Sequence, residues 1–448
     1  MKKLSISFLL LACCISLGAQ IKVGIAQKAI TPKTPVWLSG YASRNKPSTE
    51  ILHDLWAKAL VIEENPGNRI VIVTTDILGL THEISEAVAS SVNKKYGIKR
   101  SQLLLNSSHT HSGPAIWPSL SVIFNLNTAD QQSAGQYTQK LSQDIVEVID
   151  MAMNNLAPME ISCGHGSADF AINRRQPTDK GVIIGLNPGG PVDHDVMVLK
   201  IASPEGDLKA VLFGYACHNT TSNTYLVNGD FAGFAQIELE KANQGVVAMY
   251  LQGCCADQNP QPRGSIELAA EHGKSLAEAV QKTLSGDMHP VRTPIRTDFI
   301  TVDLDFPPFN PEVYEKEITG SDQYRQRRAM LILEAYNKGW KVDRLPYPVQ
   351  AIRFNNDLTI LALSGEVVVD YSLRSKREYA KENLFVAGYC NEVQGYIPTK
   401  RVLEEGGYEP ETSMIYYGLP GPFANNVEDK VFSAIHTVMK HVGARSSK

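Results

Sequence analysis

The sequence lacks several features that would place it in a common class of binding or membrane protein. Its 43 Lys and Arg residues are balanced by 47 Asp and Glu residues, so no excess of positive charge predicts binding to nucleic acid or another polyanion. After the first twenty residues, no apolar run approaches the roughly 20 residues that a membrane-spanning helix needs. Internal repeats and low-complexity tracts are also missing. We therefore expect an ordinary globular fold without a transmembrane segment.

Cysteine is scarce, with seven residues in a chain of 448. Cys13 and Cys14 belong to the apolar N-terminal stretch, and the other five match neither a zinc ribbon nor a regular disulfide framework. We expect these five to be small, buried hydrophobic side chains. The alternative is a disulfide, such as one between Cys217 and Cys254, in an oxidising compartment. The sequence does not determine the pairing. The five are Cys163, Cys217, Cys254, Cys255 and Cys390.

The N-terminus is typical of an export signal. Two lysines precede the apolar stretch Phe8–Leu17, which is too short to span a bilayer. A signal peptide of residues 1–19 is predicted, and the alternative is a lipoprotein signal with the lipid on Cys13 or Cys14. Residues 20–448 would then form a single exported domain, periplasmic or extracellular, either free or lipid-tethered at the cell surface.

Apolar, β-branched runs of strand length alternate along the chain with helical patterns. The clearest helical patterns begin at Ser133 and Ser265, and a charged helical stretch, 314–341, is a candidate insertion. This alternation predicts an α/β fold with a mixed β-sheet core and flanking helices. The predicted strands begin at Arg69, Ser101, Asp195, Lys209, Gly245, Leu358 and Asn383.

Polar side chains able to bind a ligand follow five of these predicted strands. Because loops beyond the carboxyl ends of strands converge on a rigid platform in α/β sheets, we expect these side chains to share one site. This arrangement predicts an enzyme with its active site at the carboxyl ends of the strands. The side chains are His109 and His111, His218, Asp257 and Asn259, Glu366, and Tyr396.

The stretch NSSHTHSG places two histidines one residue apart after a predicted strand. Residues i and i+2 of an extended segment project to the same side, so His109 and His111 are able to face one site. Glu366 also ends a strand, where a carboxylate is costly unless it is paired, hydrogen-bonded or metal-bound. Two histidines, one glutamate and an open position for water describe a hydrolytic zinc site. Taken singly, a histidine such as His218 is more often a satisfied core residue, and an H-x-H pair is more often a surface or capping feature.

Several short motifs together resemble one enzyme family. They occur, in the same order and over nearly the whole mature chain, in the catalytic domain of neutral/alkaline, non-lysosomal ceramidases. The resemblance is specific because several unrelated motifs coincide. The motifs are NSSHTHSGPA, INRRQP, YACHNTTSN, NGDFAGFA, SGEVVVDYSLR and GYIPTKRVLEEGGYEP.

The resemblance implies an exported zinc amidohydrolase that cleaves an amide, such as the N-acyl bond of a ceramide-like lipid, by means of metal-activated water. It makes His111 and Arg174 active-site residues that do not bind the metal, and Tyr408 matches a further family tyrosine, twelve residues after the ligand tyrosine. His111 would pass a proton to the leaving nitrogen, and Arg174 or Tyr408 would stabilise the oxyanion. The implied zinc ligands are His109, His218, Glu366 and Tyr396.

Two departures from the family pattern stand out. Asn259 occupies the position of the serine in the family's G-D-x-S-P-N hexapeptide, and an amide cannot form an acyl-enzyme. Cys254 and Cys255 are the alternative nucleophiles, although neither lies at the serine's position in the hexapeptide. Full ceramidases continue into a β-sandwich domain, whereas this chain ends at Lys448, so only the catalytic domain is expected here.

Two other functions stay open. One is a zinc hydrolase of a non-lipid substrate, such as an acylated sugar, a peptide or a glycan, because a fold does not fix a substrate. The other is a non-catalytic, zinc-dependent binding protein. The expected partner is a small molecule or a lipid, peripheral contact with a membrane stays open, and the sequence does not predict an oligomeric state.

Overall fold

The computed structural model describes residues 21–447, so the predicted signal peptide lies outside the described residues. The strands are β1 (Lys22–Ala29), β2 (Glu50–Ile51), β3 (Trp56–Asn65), β4 (Asn68–Thr75), β5 (Leu103–Ser107), β6 (Ala157–Pro158), β7 (Glu160–Ser167), β8 (Ala171–Thr178), β9 (Gly181–Asn187), β10 (Asp195–Ala202), β11 (Leu208–Tyr215), β12 (Leu226–Val227), β13 (Val247–Gln252), β14 (Gln258–Pro260), β15 (His289–Pro290), β16 (Ile295–Asp305), β17 (Arg344–Phe354), β18 (Leu358–Leu363), β19 (Glu366–Val367), β20 (Leu384–Ala387) and β21 (Tyr396–Ile397).

The helices are α1 (His82–Tyr96), α2 (Thr128–Asn154), α3 (Asp230–Ala242), α4 (Ile266–Leu284), α5 (Pro311–Ile318), α6 (Gln323–Asn337), α7 (Asp370–Glu378), α8 (Lys400–Glu405), α9 (Ser413–Tyr416) and α10 (Val427–His441). A 3₁₀ turn spans Arg100–Gln102 and a π-helical turn spans Tyr408–Thr412. Side-chain caps fix where the main helices begin: Thr81, Asn127 and Ser265 each accept a backbone N–H from the first turn of α1, α2 and α4.

Three larger sheets build the fold, in the strand orders β5-β4-β3-β1-β6, β13-β11-β10-β7-β15 and β16-β17-β18-β20. Each is mixed, because it contains one parallel pair, β4–β5, β11–β13 or β18–β20, among antiparallel neighbours. A small sheet, β14-β8-β9, and two short strand pairs complete the pattern. The mixed α/β fold class predicted from the sequence is therefore confirmed, with several sheets where one core sheet was expected.

The three sheets share a central core, and helices cover their outer faces. Because successive strand side chains point to opposite faces, Leu60 and Ile62 of β3 enter the central core while Ala59 and Val61 pack towards α1 and α2. Helices α3 and α4 cover the second sheet in the same way, and α10 covers the third. Each large apolar side chain buried here contributes about 1.5–3 kcal/mol.

Asn106 joins the three larger sheets at the carboxyl ends of their strands. It lies in β5 of the first sheet, and its side-chain oxygen accepts the N–H of Gln252 from β13 at 2.8 Å. Its amide nitrogen donates to the carbonyl of Gly388, directly after β20, at 2.8 Å. Single backbone bridges between Asn106 and Cys390 and between Gly253 and Ala387 support the same junction. The loops that leave β5, β11, β13, β18 and β20 are therefore held together.

The structure also bears on three further expectations, which concern the cysteines, the charged stretch 314–341 and membrane-spanning helices. The five cysteines of the described residues are all buried and free, so the small-hydrophobe interpretation is confirmed and the Cys217–Cys254 disulfide is not formed. The charged stretch 314–341 forms a helical pair, α5 and α6. Among residues 21–447, no helix is both long enough and apolar enough to cross a membrane.

Candidate active site

The carboxyl ends of the strands bring the predicted ligand residues to one place. His109 follows β5 in the left-handed region, with φ +61°, a strained conformation for a residue with a side chain. His218 follows β11, and Glu366 follows Gly365, whose φ of +76° suits glycine. Tyr396 is the parallel pairing partner of Glu366 in the short sheet of β19 and β21. Four separate segments thus supply the four residues.

Three acceptor atoms converge at the centre of this site. His109 Nδ1 lies 2.6 Å from the Leu78 carbonyl and His218 Nδ1 lies 2.9 Å from the Cys255 carbonyl. Each Nδ1 therefore carries the proton, since a carbonyl only accepts, and each Nε2 has a free lone pair. The two Nε2 atoms lie 3.1 Å and 3.2 Å from the same oxygen, Glu366 Oε2.

The two Nε2 lone pairs and the Glu366 oxygen are suited to bind a cation. Lone pairs repel one another at such distances, and the buried His218 Nε2 has no hydrogen-bond partner in the structure. An imidazole whose Nδ1–H is held by a backbone carbonyl is the usual arrangement of a metal-binding histidine. One imidazole nitrogen from each of His109, His111 and His218 lies within 4.8 Å of the corresponding nitrogens of the other two. The residues present therefore form a candidate metal site.

Burial governs the protonation of this cluster. Burial lowers the pKa of His218 to about 4, helped by the positive charge of Arg174. Burial also lowers the pKa of His111 well below its ordinary value, and the two neighbouring histidines act in the same direction. Burial by itself would raise the pKa of Glu366, but the histidines outweigh it and hold this pKa well below the ordinary value. At neutral pH His111 and His218 are therefore neutral imidazoles and Glu366 is a carboxylate.

His111 lies beside the cluster, but its ring nitrogens have different contacts from those of His109 and His218. Its Nε2 lies 3.2 Å from His109 Nε2, but its Nδ1 is buried without a hydrogen-bond partner. The ring is enclosed by Tyr41, whose ring packs edge-on at 4.7 Å, and by Gly40, where a Cβ would lie 2.3 Å from His111 Nδ1. Glycine is required at position 40 by this close approach and by a φ of +94°. His111 thus lacks the carbonyl contact that orients the other two imidazoles.

Arg174 links the remaining predicted residues. Its Nη2 donates to the Tyr396 hydroxyl at 3.2 Å, and its Nη1 donates to Asn259 Oδ1 at 3.4 Å. The guanidinium lies 5.4 Å from the centre of the Tyr408 ring. Glu409 fixes the arginine by accepting from its Nε at 2.9 Å. All eight residues predicted from the sequence therefore belong to one connected cluster.

A pocket of about 180 Å³ opens above this cluster. Its lining is mostly apolar and aromatic, which suits a hydrocarbon or acyl group more than a highly polar one. His109, His111 and Glu366 form its polar part. The remaining lining residues are Gly40, Tyr41, Ala42, Leu78, Leu120, Ile123, Tyr396, Tyr408, Tyr416 and Tyr417.

Sequence reasoning missed four side chains at this site. The Tyr417 hydroxyl donates to Glu366 Oε1 at 2.6 Å, and Tyr389 approaches Glu366 Oε2 at 3.3 Å. Glu409 holds Arg174, and Tyr41 packs on His111. Glu409 adjoins Tyr408, so the GYEP motif carried a signal for it. The three tyrosines had no local signal, because their role depends on contacts distant in sequence.

Comparison with known proteins shows the family of this chain. The model of the N-terminal region of neutral/alkaline non-lysosomal ceramidases matches residues 21–296, more than half of the chain. The chain belongs to this ceramidase family. The region matched contains His109, His111, Arg174, His218 and Asn259, whereas Glu366, Tyr396 and Tyr408 lie beyond it.

Curated ceramidases are similar at modest identity. The neutral ceramidase of Pseudomonas aeruginosa is 26% identical over 280 residues, which cover 58% of this chain and 41% of that protein. Neutral ceramidase B of Dictyostelium discoideum is 27% identical over 250 residues, covering 51% of this chain and 33% of that protein. The chain thus spans less than half the length of these relatives.

Solved structures share the fold over almost the whole chain. The crystal structure of the neutral ceramidase from Pseudomonas aeruginosa superposes with a TM-score of 0.71 at 19% identity, covering 96% of this chain and 77% of that one. A ceramidase structure described as complexed with C2 gives a TM-score of 0.72 with the same coverage. The shared fold therefore extends well beyond residues 21–296, which the family model matches.

Proposed function

We propose that this protein is a zinc-dependent amidohydrolase that cleaves the N-acyl bond of a ceramide-like lipid. The observation that carries the proposal is the convergence of three acceptor atoms, from His109, His218 and Glu366, at the floor of an apolar pocket. Neutral imidazole and carboxylate are ligands that zinc binds well in hydrolases. Membership of the ceramidase family supports the amide as the bond that is cleaved.

The proposed metal ligands are His109, His218, Glu366 and Tyr396. When bound, a zinc ion lowers the pKa of a coordinated water to about 7 and polarises a carbonyl. The carbonyls of Leu78 and Cys255 keep the two ligand imidazoles in the tautomer that leaves Nε2 free. Tyr396 enters this set as the pairing partner of Glu366.

His111 is proposed to move the proton. Its ring lies beside the ligand histidines, and its lowered pKa leaves it neutral at neutral pH, with one ring nitrogen able to accept a proton. The same nitrogen then delivers the proton to the leaving amine. The absence of a carbonyl contact at its buried Nδ1 supports this role over metal binding, because nothing holds the ring in the tautomer of a ligand.

Arg174, Tyr408 and Asn259 are proposed to stabilise the oxyanion. Arg174 is held by Glu409, so its charge stays fixed at the site. Asn259 accepts from Arg174 and from Thr220 through Oδ1, which leaves its amide nitrogen as a donor. We propose that Asn259 stands where the family has its serine, so that hydrolysis proceeds without an acyl-enzyme.

The location and extent of the protein remain part of the proposal. Export is supported by the two lysines and the apolar run within residues 1–19. Residues 20–448 would then act as one catalytic domain. The apolar lining of the pocket supports a lipid substrate presented at or near a membrane surface.

A second candidate is a zinc hydrolase of a smaller, non-lipid N-acyl substrate. Its support is the pocket volume of about 180 Å³, which is small beside the roughly 300–1,000 Å³ of many ligand sites. A panel of N-hexadecanoyl-sphingosine, N-acetyl-sphingosine and N-acetylglucosamine distinguishes the two candidates. We expect hydrolysis of the sphingosine amides that a chelator abolishes and added zinc restores. Cleavage of N-acetylglucosamine alone would favour the second candidate, and zinc binding without any turnover would make the protein a binding protein.

A further inference from the structure

The two oxygens of the Glu366 carboxylate have different partners. Oε2 faces the Nε2 atoms of His109 and His218 at 3.1 Å and 3.2 Å. Oε1 accepts a hydrogen bond from the Tyr417 hydroxyl at 2.6 Å. The carboxylate is 3% exposed, so protein groups and not water determine its orientation. One oxygen is thus bound to the protein, while the other points at the acceptor cluster.

We propose that Tyr417 is a positioning residue that orients the Glu366 carboxylate for metal binding. The inference rests on the proposed zinc function. Without a donor at Oε1, the carboxylate is free to rotate about its terminal bond, whose torsional minima are broad. A rotated carboxylate would no longer direct Oε2 between the two imidazoles. Charge-assisted hydrogen bonds of this length are about twice as strong as neutral ones.

The surroundings of Tyr417 hold its hydroxyl in a fixed position. The residue ends the turn after α9, where its N–H donates to the Ser413 carbonyl at 3.2 Å. The N–H of Leu419 donates to the Met414 carbonyl at 2.9 Å and closes the same turn. The ring packs edge-on against Tyr396, with 6.3 Å between ring centres. The hydroxyl therefore reaches Glu366 from a rigid support, beside another proposed ligand.

Tyr389 does not duplicate this role. Its hydroxyl approaches Oε2, the oxygen that also faces the imidazoles, at the longer distance of 3.3 Å. It also accepts a contact from the Cys255 thiol at 3.4 Å. Because Tyr389 approaches the oxygen assigned to the metal, it does not fix the opposite one. Only the Tyr417 contact leaves Oε2 available while holding Oε1.

The test is the zinc affinity of metal-free Tyr417→Phe, measured by competition with a chromophoric chelator. Phenylalanine keeps the ring and removes only the donor, so we expect the affinity to fall about 10–100-fold, as for other groups that orient metal ligands. The matched control is Tyr416→Phe, a neighbouring tyrosine that lines the same pocket and packs on Tyr408 and Tyr324. We expect this control to bind zinc like the wild type. Metal-free Tyr417→Phe should also have a lower Tm, because it leaves one oxygen of the buried carboxylate without its donor.

Three results would contradict the inference in distinguishable ways. Wild-type affinity in Tyr417→Phe would overturn the positioning role alone. An equal loss in both variants, or a lower Tm only in metal-free Tyr417→Phe with unchanged affinity, would make Tyr417 a packing residue. A wild-type protein that does not bind zinc would contradict the proposed function on which the inference rests. As a second readout, the visible spectrum of the Co²⁺-loaded Tyr417→Phe should differ from that of the wild type, because the carboxylate ligand is reoriented.

Discussion

His218 Nε2 and Glu366 Oε2 lie 3.2 Å apart, although both atoms are hydrogen-bond acceptors. The histidine proton is on Nδ1, where the Cys255 carbonyl accepts it, and the glutamate is ionised. Two buried acceptors in contact are unfavourable unless a positive charge lies between or beside them. His109 repeats the relationship with the same oxygen at 3.1 Å. The arrangement of these three residues is the physical basis for the predictions below.

His111→Ala should lower kcat by about 10²–10⁴ while leaving zinc bound, because His111 moves a proton and does not hold the metal. Metal content and turnover are measured on the same sample. The absence of a carbonyl partner at its Nδ1 is the structural reason for this expectation. Loss of the metal in His111→Ala would make it a third histidine ligand and would reverse the division of roles between His109 and His111.

Asn259→Ala should lower kcat by about 10²–10³, the usual cost of removing one oxyanion donor. The wild type should give no burst of first product, and hydroxylamine should trap no hydroxamate, because the amide of Asn259 is not a nucleophile. Rapid-quench kinetics and mass spectrometry of the quenched protein test both points. A burst, or an added mass on Cys254 or Cys255, would instead establish a covalent route. Both thiols are fully buried and their pKa values are raised, which disfavours that route.

Asp257 should make stability depend on pH. Burial raises the pKa of this carboxyl from 3.8 to about 7, although the N–H of Val369 donates to it at 2.8 Å. The folded state then binds a proton that the unfolded state has already lost. The contribution of Asp257 to the free energy of unfolding therefore decreases as the pH rises from about 4 to about 7, and is constant above.

Asp257→Asn tests this by removing the titrating group. Urea unfolding of both proteins at several pH values gives the difference between their free energies of unfolding, in which the other titrations cancel. We expect the wild type to lose stability relative to Asp257→Asn as the pH rises through this window. A difference that does not vary with pH would refute the shifted pKa. The pH-independent part of the difference in free energy of unfolding does not test the pKa, because the new amide also faces Asn173.

Arg327 of α6 should control the shape of the pocket rim. Its Nη1 donates to the carbonyls of Val122 and Phe124, at 3.0 Å each, on either side of the pocket residue Ile123. Arg327→Ala should lower the free energy of unfolding by about 1–3 kcal/mol and raise KM for a long-chain amide more than for a short-chain one. The control is Arg325→Ala, since Arg325 is more exposed and pairs with Glu317 of α5 and with Asp322, the N-cap of α6. Equal KM changes for both chain lengths would contradict a role in chain recognition.

Much of the candidate metal site was predictable from local sequence. His109, His218 and Glu366 each follow an apolar run that is recognisable as a buried strand, and strand ends converge in α/β folds. The strands were recognisable as apolar runs because β4, β5, β11 and β18 are almost continuously buried. Periodicity therefore located the residues without knowledge of the strand order.

The rest depended on pairings that local patterns do not encode. One mixed core sheet was expected, whereas the described residues form three larger sheets and three small ones. In one larger sheet, β16 pairs with β17 although α5 and α6 separate them in sequence. Strand β16 is mostly half-buried or exposed, so it had no apolar run to reveal it. Tyr417 was missed because its contact with Glu366 spans 51 residues and involves a side chain in an irregular turn. Such contacts follow from the fold and not from spacing.

The metal content of the purified protein tests the central claim most directly. Wild-type protein should hold about one zinc per chain, and His109→Ala, His218→Ala and Glu366→Ala should each lose it or bind at least about 10–100-fold more weakly. His441→Ala is the matched control, because His441 of α10 is exposed and pairs with Asp298 of β16. We expect full zinc content in the control and in the wild type only. Full zinc content in all three ligand variants would contradict it.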